Sequence, residues 1–218
     1  MSAPTASRLR AWWRRQQFEP GWAGLAVNPF FFARRGLLAE LRPLFPELTG
    51  EVLDVGCGRK PYRAHVAATR YVGVDVETEA TRGHGDVDVF YDGRTLPFAT
   101  ASFDGVLCSQ VLEHVFTPED FLREIARVLR PGGRLVYSVC TPVPEEGREI
   151  IEAVLAAGGW KRVAIQRGEI SGFQDSLTGD GDVLTLPHAR VSRDAPGEEN
   201  AYASMNSDAF YVARLERL

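Results

Sequence analysis

Apolar residues recur along this chain in two rhythms. Between Phe30 and Leu44, the residues Phe31, Leu37, Leu38, Leu41 and Leu44 fall near helical spacing and predict a helix ahead of the first strand. After Thr117-Pro118-Glu119-Asp120, the positions Phe121, Leu122, Ile125, Ala126, Val128 and Leu129 share one helical face. Threonine as an N-cap, proline in the first turn and an acid at the third position start that helix, and Pro131-Gly132-Gly133 stops it. The second rhythm is one of short β-rich runs: Glu51–Val55, Tyr71–Val76, Val87–Tyr91, Phe103–Cys108 and Arg134–Val139. A glycine turn, Gly56-Cys57-Gly58, closes the first run, and Pro61 suits the first turn of a helix after it. Further on, a helix over roughly 148–157, a strand over Trp160–Ile165 and a terminal strand over Asp208–Leu215 are predicted. Residues 167–207 are rich in Gly, Asp, Ser and Asn without sustained periodicity, which predicts a long loop.

Strands that alternate with helices predict an α/β chain, doubly wound around a mostly parallel sheet of seven strands. Ligands of such sheets lie at the carboxyl ends of the strands, where strand order reverses. Function is therefore sought in the loops after Val55, Val76, Tyr91 and Cys108.

At 218 residues, with 44% hydrophobic and 25% charged residues, the composition is that of a globular protein with one core. Residues 28–218 are expected to form a single domain, preceded by a basic amphipathic segment over 1–27. No apolar run approaches the length that spans a bilayer, so integral membrane association is not expected. Three cysteines, Cys57, Cys108 and Cys140, in a chain without a secretory-type apolar region predict free thiols and a cytoplasmic setting. The formal charge of −4 divides unevenly. Residues 1–50 hold seven arginines against Glu19, Glu40 and Glu47, a net +4, which leaves −8 for the remainder. An acidic body disfavours a nucleic-acid backbone as its main ligand, while Arg8-Leu-Arg-Ala-Trp-Trp-Arg-Arg15 reads either as a solvated helix or as a contact for an anionic partner or membrane surface.

Three strand ends carry the candidate chemistry. Asp54-Val55-Gly56-Cys57-Gly58 lets a ligand approach bare backbone, with free N–H groups beyond it. Asp75, with Val76 beside it, ends the second strand 21 residues after Asp54, where a carboxylate accepts both hydroxyls of a ribose; the alternative is a turn carboxylate that caps the next helix. Asp92 and Gly93 follow the third strand, where Asp92 could accept from an adenine amino group; the alternative is a plain turn. Ser109 and Gln110 end the fourth strand and are expected to line the same pocket. His114 is either a base or substrate contact, because histidine titrates near neutrality, or a helix histidine satisfied by a carbonyl. No metal ligand set is predicted.

The run Glu51-Val-Leu-Asp-Val-Gly-Cys-Gly58, with Val72-Gly-Val-Asp75, Leu96-Pro-Phe98, Ser102-Phe-Asp104, Val111-Leu-Glu-His114 and Val128-Leu-Arg-Pro-Gly-Gly133, closely resembles class I S-adenosylmethionine-dependent methyltransferases of the type 11 kind. The resemblance covers roughly residues 28–139. It implies a Rossmann-like sheet with an antiparallel last strand, and S-adenosyl-L-methionine (SAM) as cofactor. The first glycine turn then holds the methionine part, Asp75 the ribose, and Asp92 lies beside the adenine. A third glycine in nicotinamide-type spacing is absent, because Arg59, Lys60 and Pro61 follow the turn, and this favours the methyltransferase over an oxidoreductase. A small-molecule or modest polar acceptor is the expected partner.

The tail, with Leu135-Val-Tyr-Ser-Val-Cys-Thr141, Pro144-Glu-Glu146, Leu186-Pro-His188 and Asp208–Leu215, resembles the carboxyl-terminal part of RNA cytosine-5 methyltransferases. In that family the cysteine matching Cys140 attacks the pyrimidine ring, which would make RNA the partner. The chain departs from their Asp-Ala-Pro-Cys segment, reading Cys108-Ser109-Gln110-Val111 in its place. A non-catalytic cofactor-binding module, with Trp12 and Trp13 on its contact surface, is the reading from a different class.

Overall fold

A computed structural model describes residues 12–13, 16, 20–28, 30–83, 86–141, 143–170, 174–186 and 209–218. The β-rich runs pair into one sheet: β1 (Gly50–Val55), β2 (Ala68–Val76), β3 (Val89–Tyr91), β4 (Phe103–Ser109), β5 (Leu129–Val139), β6 (Trp160–Arg162), β7 (Val183–Thr185) and β8 (Phe210–Arg217). Its strand order is β3-β2-β1-β4-β5-β8-β6, with β7 paired to β8. β1 to β5 run parallel, and β8 is antiparallel to β5, β6 and β7. Among the described residues, α-helices α1 (Gly24–Val27), α2 (Phe31–Leu41), α3 (Glu79–Arg82), α4 (Pro118–Val128) and α5 (Arg148–Ala156) accompany the sheet.

The pleat sends neighbouring residues of each strand to opposite faces, and both faces are covered. Leu53, Val55, Val106 and Tyr137 pack with Phe121, Leu122 and Ile125 of α4 and with α5. Val52, Leu107 and Val136 pack on the other face with Leu37 and Leu41 of α2 and with Phe45. The order runs outward from β1 through β2 to β3 on one side and from β4 to β5 on the other, so it reverses between β1 and β4. In register, Val55 sits between Val74 and Cys108, and Val76 faces Tyr91. The carboxyl ends of these strands thus open side by side onto one crevice.

Several element boundaries differ from expectation. The mostly parallel α/β sheet is as expected, and the described residues add one short strand to it, because residues 167–207 are not wholly loop: Gln174–Ser176 forms a 3₁₀ turn and Val183–Thr185 forms β7. The physical reason lies in β8. β6 pairs only with Leu215–Arg217, so the N–H and C=O groups of Phe210–Val212 would be left open on that edge, and β7 takes them. The helix expected from Pro61 does not form; residues 58–65 are turns, and Lys60 at φ +51° breaks any helical continuation. β6 stops at Arg162 rather than Ile165. β5 begins at Leu129 rather than Arg134, with a register irregularity opposite Phe103 and Gly105. Thr117 occupies the N-cap position of α4 as expected, but its side chain makes no capping hydrogen bond.

Candidate active site

The glycine turn after β1 is held down by β2. The N–H groups of Gly56 and Cys57 both donate to Val74 O, at 2.9 and 3.2 Å. Gly56 has φ +69°, and a Cβ there would stand 2.3 Å from Val111 Cγ2, so only glycine lets the turn and the segment after β4 meet. Gly58 has φ +48°, and nothing lies within 4 Å of where its Cβ would be. The backbone is bare there. Cys57 points the other way: a Cβ on Gly73 of β2 would meet Cys57 Sγ at 2.7 Å, and the buried thiol is pushed up to about 12 by burial, reinforced by the charges of Asp54 and Asp75. Its role is packing under the turn, as an uncharged thiol.

Asp75 closes the turn from the side. Oδ2 accepts from Gly58 N at 2.9 Å and Oδ1 from Val76 N at 2.8 Å, which fixes the carboxylate plane and leaves a lone pair on each oxygen for a ligand. Asp54, 3% exposed, lies beneath; Tyr71 Oη donates to its Oδ2 at 2.6 Å. Burial pushes this carboxyl up to about 7, against the opposing effects of the Tyr71 hydrogen bond and the Lys60 charge. The folded chain therefore holds a proton between about pH 4 and 7 that the unfolded chain has released, so this group's stabilisation is complete below pH 4 and is lost as pH rises through 7. Relative to wild type, Asp54→Asn is expected to remove a decline in unfolding free energy on the order of a few kcal/mol between pH 5 and 8. Denaturant titrations of both proteins across that range check it.

The third and fourth strand ends complete the wall. Asp92 is exposed, and its Oδ1 accepts the N–H groups of Arg94 and Thr95 at 2.9 and 2.8 Å. The Thr95 and Arg94 N–H groups hold its carboxyl below the usual range. Gln110, at φ +61°, is locked by its N–H to Ser138 O at 2.9 Å, while Ser109 Oγ and Ser138 Oγ lie 2.8 Å apart. The Gln110 Nε2 atom is buried with no hydrogen-bond partner, a donor left waiting for an acceptor. His114 ends a 3₁₀ turn over Leu112–His114 and is exposed.

A cleft of about 800 Å³ brings Gly56, Asp75, Val76, Gly93, Gln110 and His114 together. Asp54, Cys57, Gly58, Asp92 and Ser109 are not among its lining residues, although Gly58 is bonded directly to Asp75. Cys140, just past the end of β5, has an exposed side chain and also does not line the cleft. Sequence reasoning missed Tyr91, Val111, Val115, Phe116, Thr117 and Phe121, which wall the cleft. Their signal was position alone, since Val111–Phe121 runs through His114 and into α4. It also missed Tyr62, whose hydroxyl burial pushes up while the Arg34 charge and a Ser109 hydrogen bond oppose the shift; this places α2 beside the tip of β4.

Residues 53–137 match the family described as "Methyltransferase domain". The chain is similar to "Fatty-acid O-methyltransferase" of Mycolicibacterium smegmatis, 34% identical over 119 residues that cover 48% of this chain and 43% of that protein. It is also similar to "Probable S-adenosylmethionine-dependent methyltransferase/" of the same organism, 36% identical over 129 residues that cover 55% and 48%. The chain thus spans about half the length of these curated relatives. Among solved structures, a geranyl diphosphate methyltransferase in complex with SAM superposes with a TM-score of 0.53 at 15% identity, over 88% of this chain and 92% of that one. The fold is that of the Rossmann-like methyltransferases.

S-adenosylmethionine is the donor named for these similar proteins, and the residues of this cleft fit it. The cleft has the volume of a small-ligand site. Bare backbone at Gly58 gives an approach that a Cβ would fill, Asp75 offers two free lone pairs, and Gln110 supplies an unpaired buried donor. Val76, Val111 and Val115 form apolar walls for a base.

Proposed function

We propose that the protein transfers a methyl group from SAM to a hydroxyl or carboxyl oxygen of a small-molecule acceptor, and that residues 28–218 act as one methyltransferase domain. The observation that carries this reading is the convergence of the Gly56 turn, the Asp75 carboxylate and His114 on one cleft. The O-methyltransferase named among the relatives supports oxygen as the accepting atom.

SAM, when bound, supplies a sulfonium methyl already activated for in-line displacement. The chain's own contribution is then mainly placement. Asp75 accepts the ribose hydroxyls, its plane fixed by Gly58 N and Val76 N. Asp92, beside Gly93, has its Oδ2 available for an amino group of the adenine. Gln110 donates its unpaired amide to the ligand, and its locked backbone keeps that donor at the tip of β4. His114, exposed at the cleft, takes the proton of a hydroxyl acceptor as its oxygen is methylated, whereas a carboxylate acceptor has no proton to lose.

Titration calorimetry with SAM and with a nicotinamide dinucleotide tests the cofactor, and release of S-adenosylhomocysteine over a panel of phenols, fatty acids and cytosine-containing RNA tests the acceptor. Asp75→Ala is expected to weaken SAM binding by about 1–3 kcal/mol, roughly 5- to 150-fold, since two ligand hydroxyls lose their acceptor. Unchanged affinity would remove Asp75 from the site. SAM binding without turnover on any acceptor would favour a non-catalytic module.

A further inference from the structure

The amino-terminal segment is not used by the chemistry above. Trp12, Trp13, Trp22, Leu25 and Phe30 are between 40% and 63% exposed, half of the exposed large apolar side chains among the described residues. Trp12 and Trp13 lie against each other, with ring centroids 6.3 Å apart, and the backbone around Trp22 and Leu25 is held in place. Gln16 O accepts from Asn28 Nδ2 at 2.9 Å, and Gln16 Oε1 accepts from Gly21 N at 2.9 Å. Gly24 lies so close to Pro20 and Phe31 that a Cβ would clash with Pro20 Cβ at 2.5 Å, and Arg35 Nη1 donates to Pro20 O at 3.3 Å. The polar and small residues Gln16, Pro20 and Asn28 are buried as anchors while the tryptophans face out, the reverse of the usual partition. In sequence, residues 8–35 hold Arg8, Arg10, Arg14, Arg15, Arg34 and Arg35 against Glu19 alone, whereas residues 51–218 are net acidic.

We propose that Trp12, Trp13, Trp22, Leu25 and Phe30 dock this protein on the surface of an anionic lipid bilayer, entering at headgroup depth, with the net positive charge that the sequence places over residues 8–35 complementing lipid phosphates. Tryptophan, with an apolar body and one N–H, suits that depth, and basic residues nearby add attraction to anionic lipid. A nucleic acid supplies the anion but no apolar medium for Leu25 and Phe30. A second copy placed across a two-fold axis would set one basic segment against another. No helix of the described residues is long and apolar enough to cross a membrane.

The test is co-sedimentation of the full chain with phosphatidylcholine vesicles and with phosphatidylcholine–phosphatidylglycerol vesicles, at low and high salt. Binding to the anionic vesicles is expected to be at least tenfold stronger, and to fall at high salt. Trp12→Glu, Trp13→Glu and Trp22→Glu combined are expected to lose at least tenfold in binding while SAM affinity stays unchanged, which separates this surface from the cofactor site. Brominated lipid in the anionic vesicles is expected to quench the tryptophan fluorescence of the wild-type chain, a readout that needs no variant. Equal binding by the triple variant, absence of quenching, or binding equal on both vesicle types overturns the proposal. So does a dimer in light scattering that the triple variant dissociates, since the apolar side chains would then serve self-association.

Discussion

Replacing Gly56 with alanine is expected to lower SAM affinity by roughly a hundredfold or more and to destabilise the chain. Two costs coincide at this residue. Its φ of +69° lies in the left-handed region, which costs an alanine about 1–2 kcal/mol. The added Cβ would also stand 2.3 Å from Val111 Cγ2, an overpacking of the kind that costs about 1–3 kcal/mol. Relief requires the turn to lift from β2 or Val111 to withdraw from the cleft wall. Lifting the turn breaks the bonds of Gly56 and Cys57 to Val74 O and moves Gly58 away from Asp75. Moving Val111 shifts Gln110 and His114, which follow the same strand end. Either route deforms the cleft, so binding and stability fall together. Calorimetry reads the first, and a thermal melt reads the second, at about 2–4 °C per kcal/mol for a chain of this size. Native affinity in the alanine variant would mean that the turn is not part of the site.

Removing the imidazole of His114 is expected to lower kcat by about 10²–10⁴, the usual contribution of a positioned proton acceptor, with SAM affinity unchanged. The separation follows from position. His114 lies at the end of the 3₁₀ turn after β4, whereas the bonds that hold the cofactor turn run between β1, β2 and Asp75. Cys140→Ser, by contrast, is expected to keep wild-type turnover, since the Cys140 side chain does not line the cleft. A kcat within threefold of wild type for His114→Ala would return this residue to a packing role.

The strand ends were legible because their chemistry is local. Asp54-Val55-Gly56-Cys57-Gly58 and Val74-Asp75 announce a turn and a carboxylate within a few residues, and each lies where its neighbours in sequence put it. β7 was not legible, because Val183-Leu-Thr185 is too short to stand out from its surroundings and exists only because β8 has an open edge. The absent helix after Pro61 is a similar case. Proline there is compatible with a helix, but Cys57 and Lys60 pack over Gly73, and that contact with β2 holds the segment in turns.

The cleft divides along the same line. Periodicity and turn chemistry along the chain by themselves determined an alternating α/β fold, the glycine turn, the placing of Asp75 and the neighbourhood of His114, because each of these depends on residues adjacent in sequence. Which of those residues share a cavity was decided only by the tertiary structure. It turned Cys57 beneath the turn and Asp92 toward solvent, left the Gln110 amide buried and unpaired, and kept the Cys140 side chain off the cleft wall. Side-chain direction and burial at a strand tip depend on what packs there from remote segments, such as Val111 against Gly56 or Lys60 over Gly73, and no local pattern encodes those contacts.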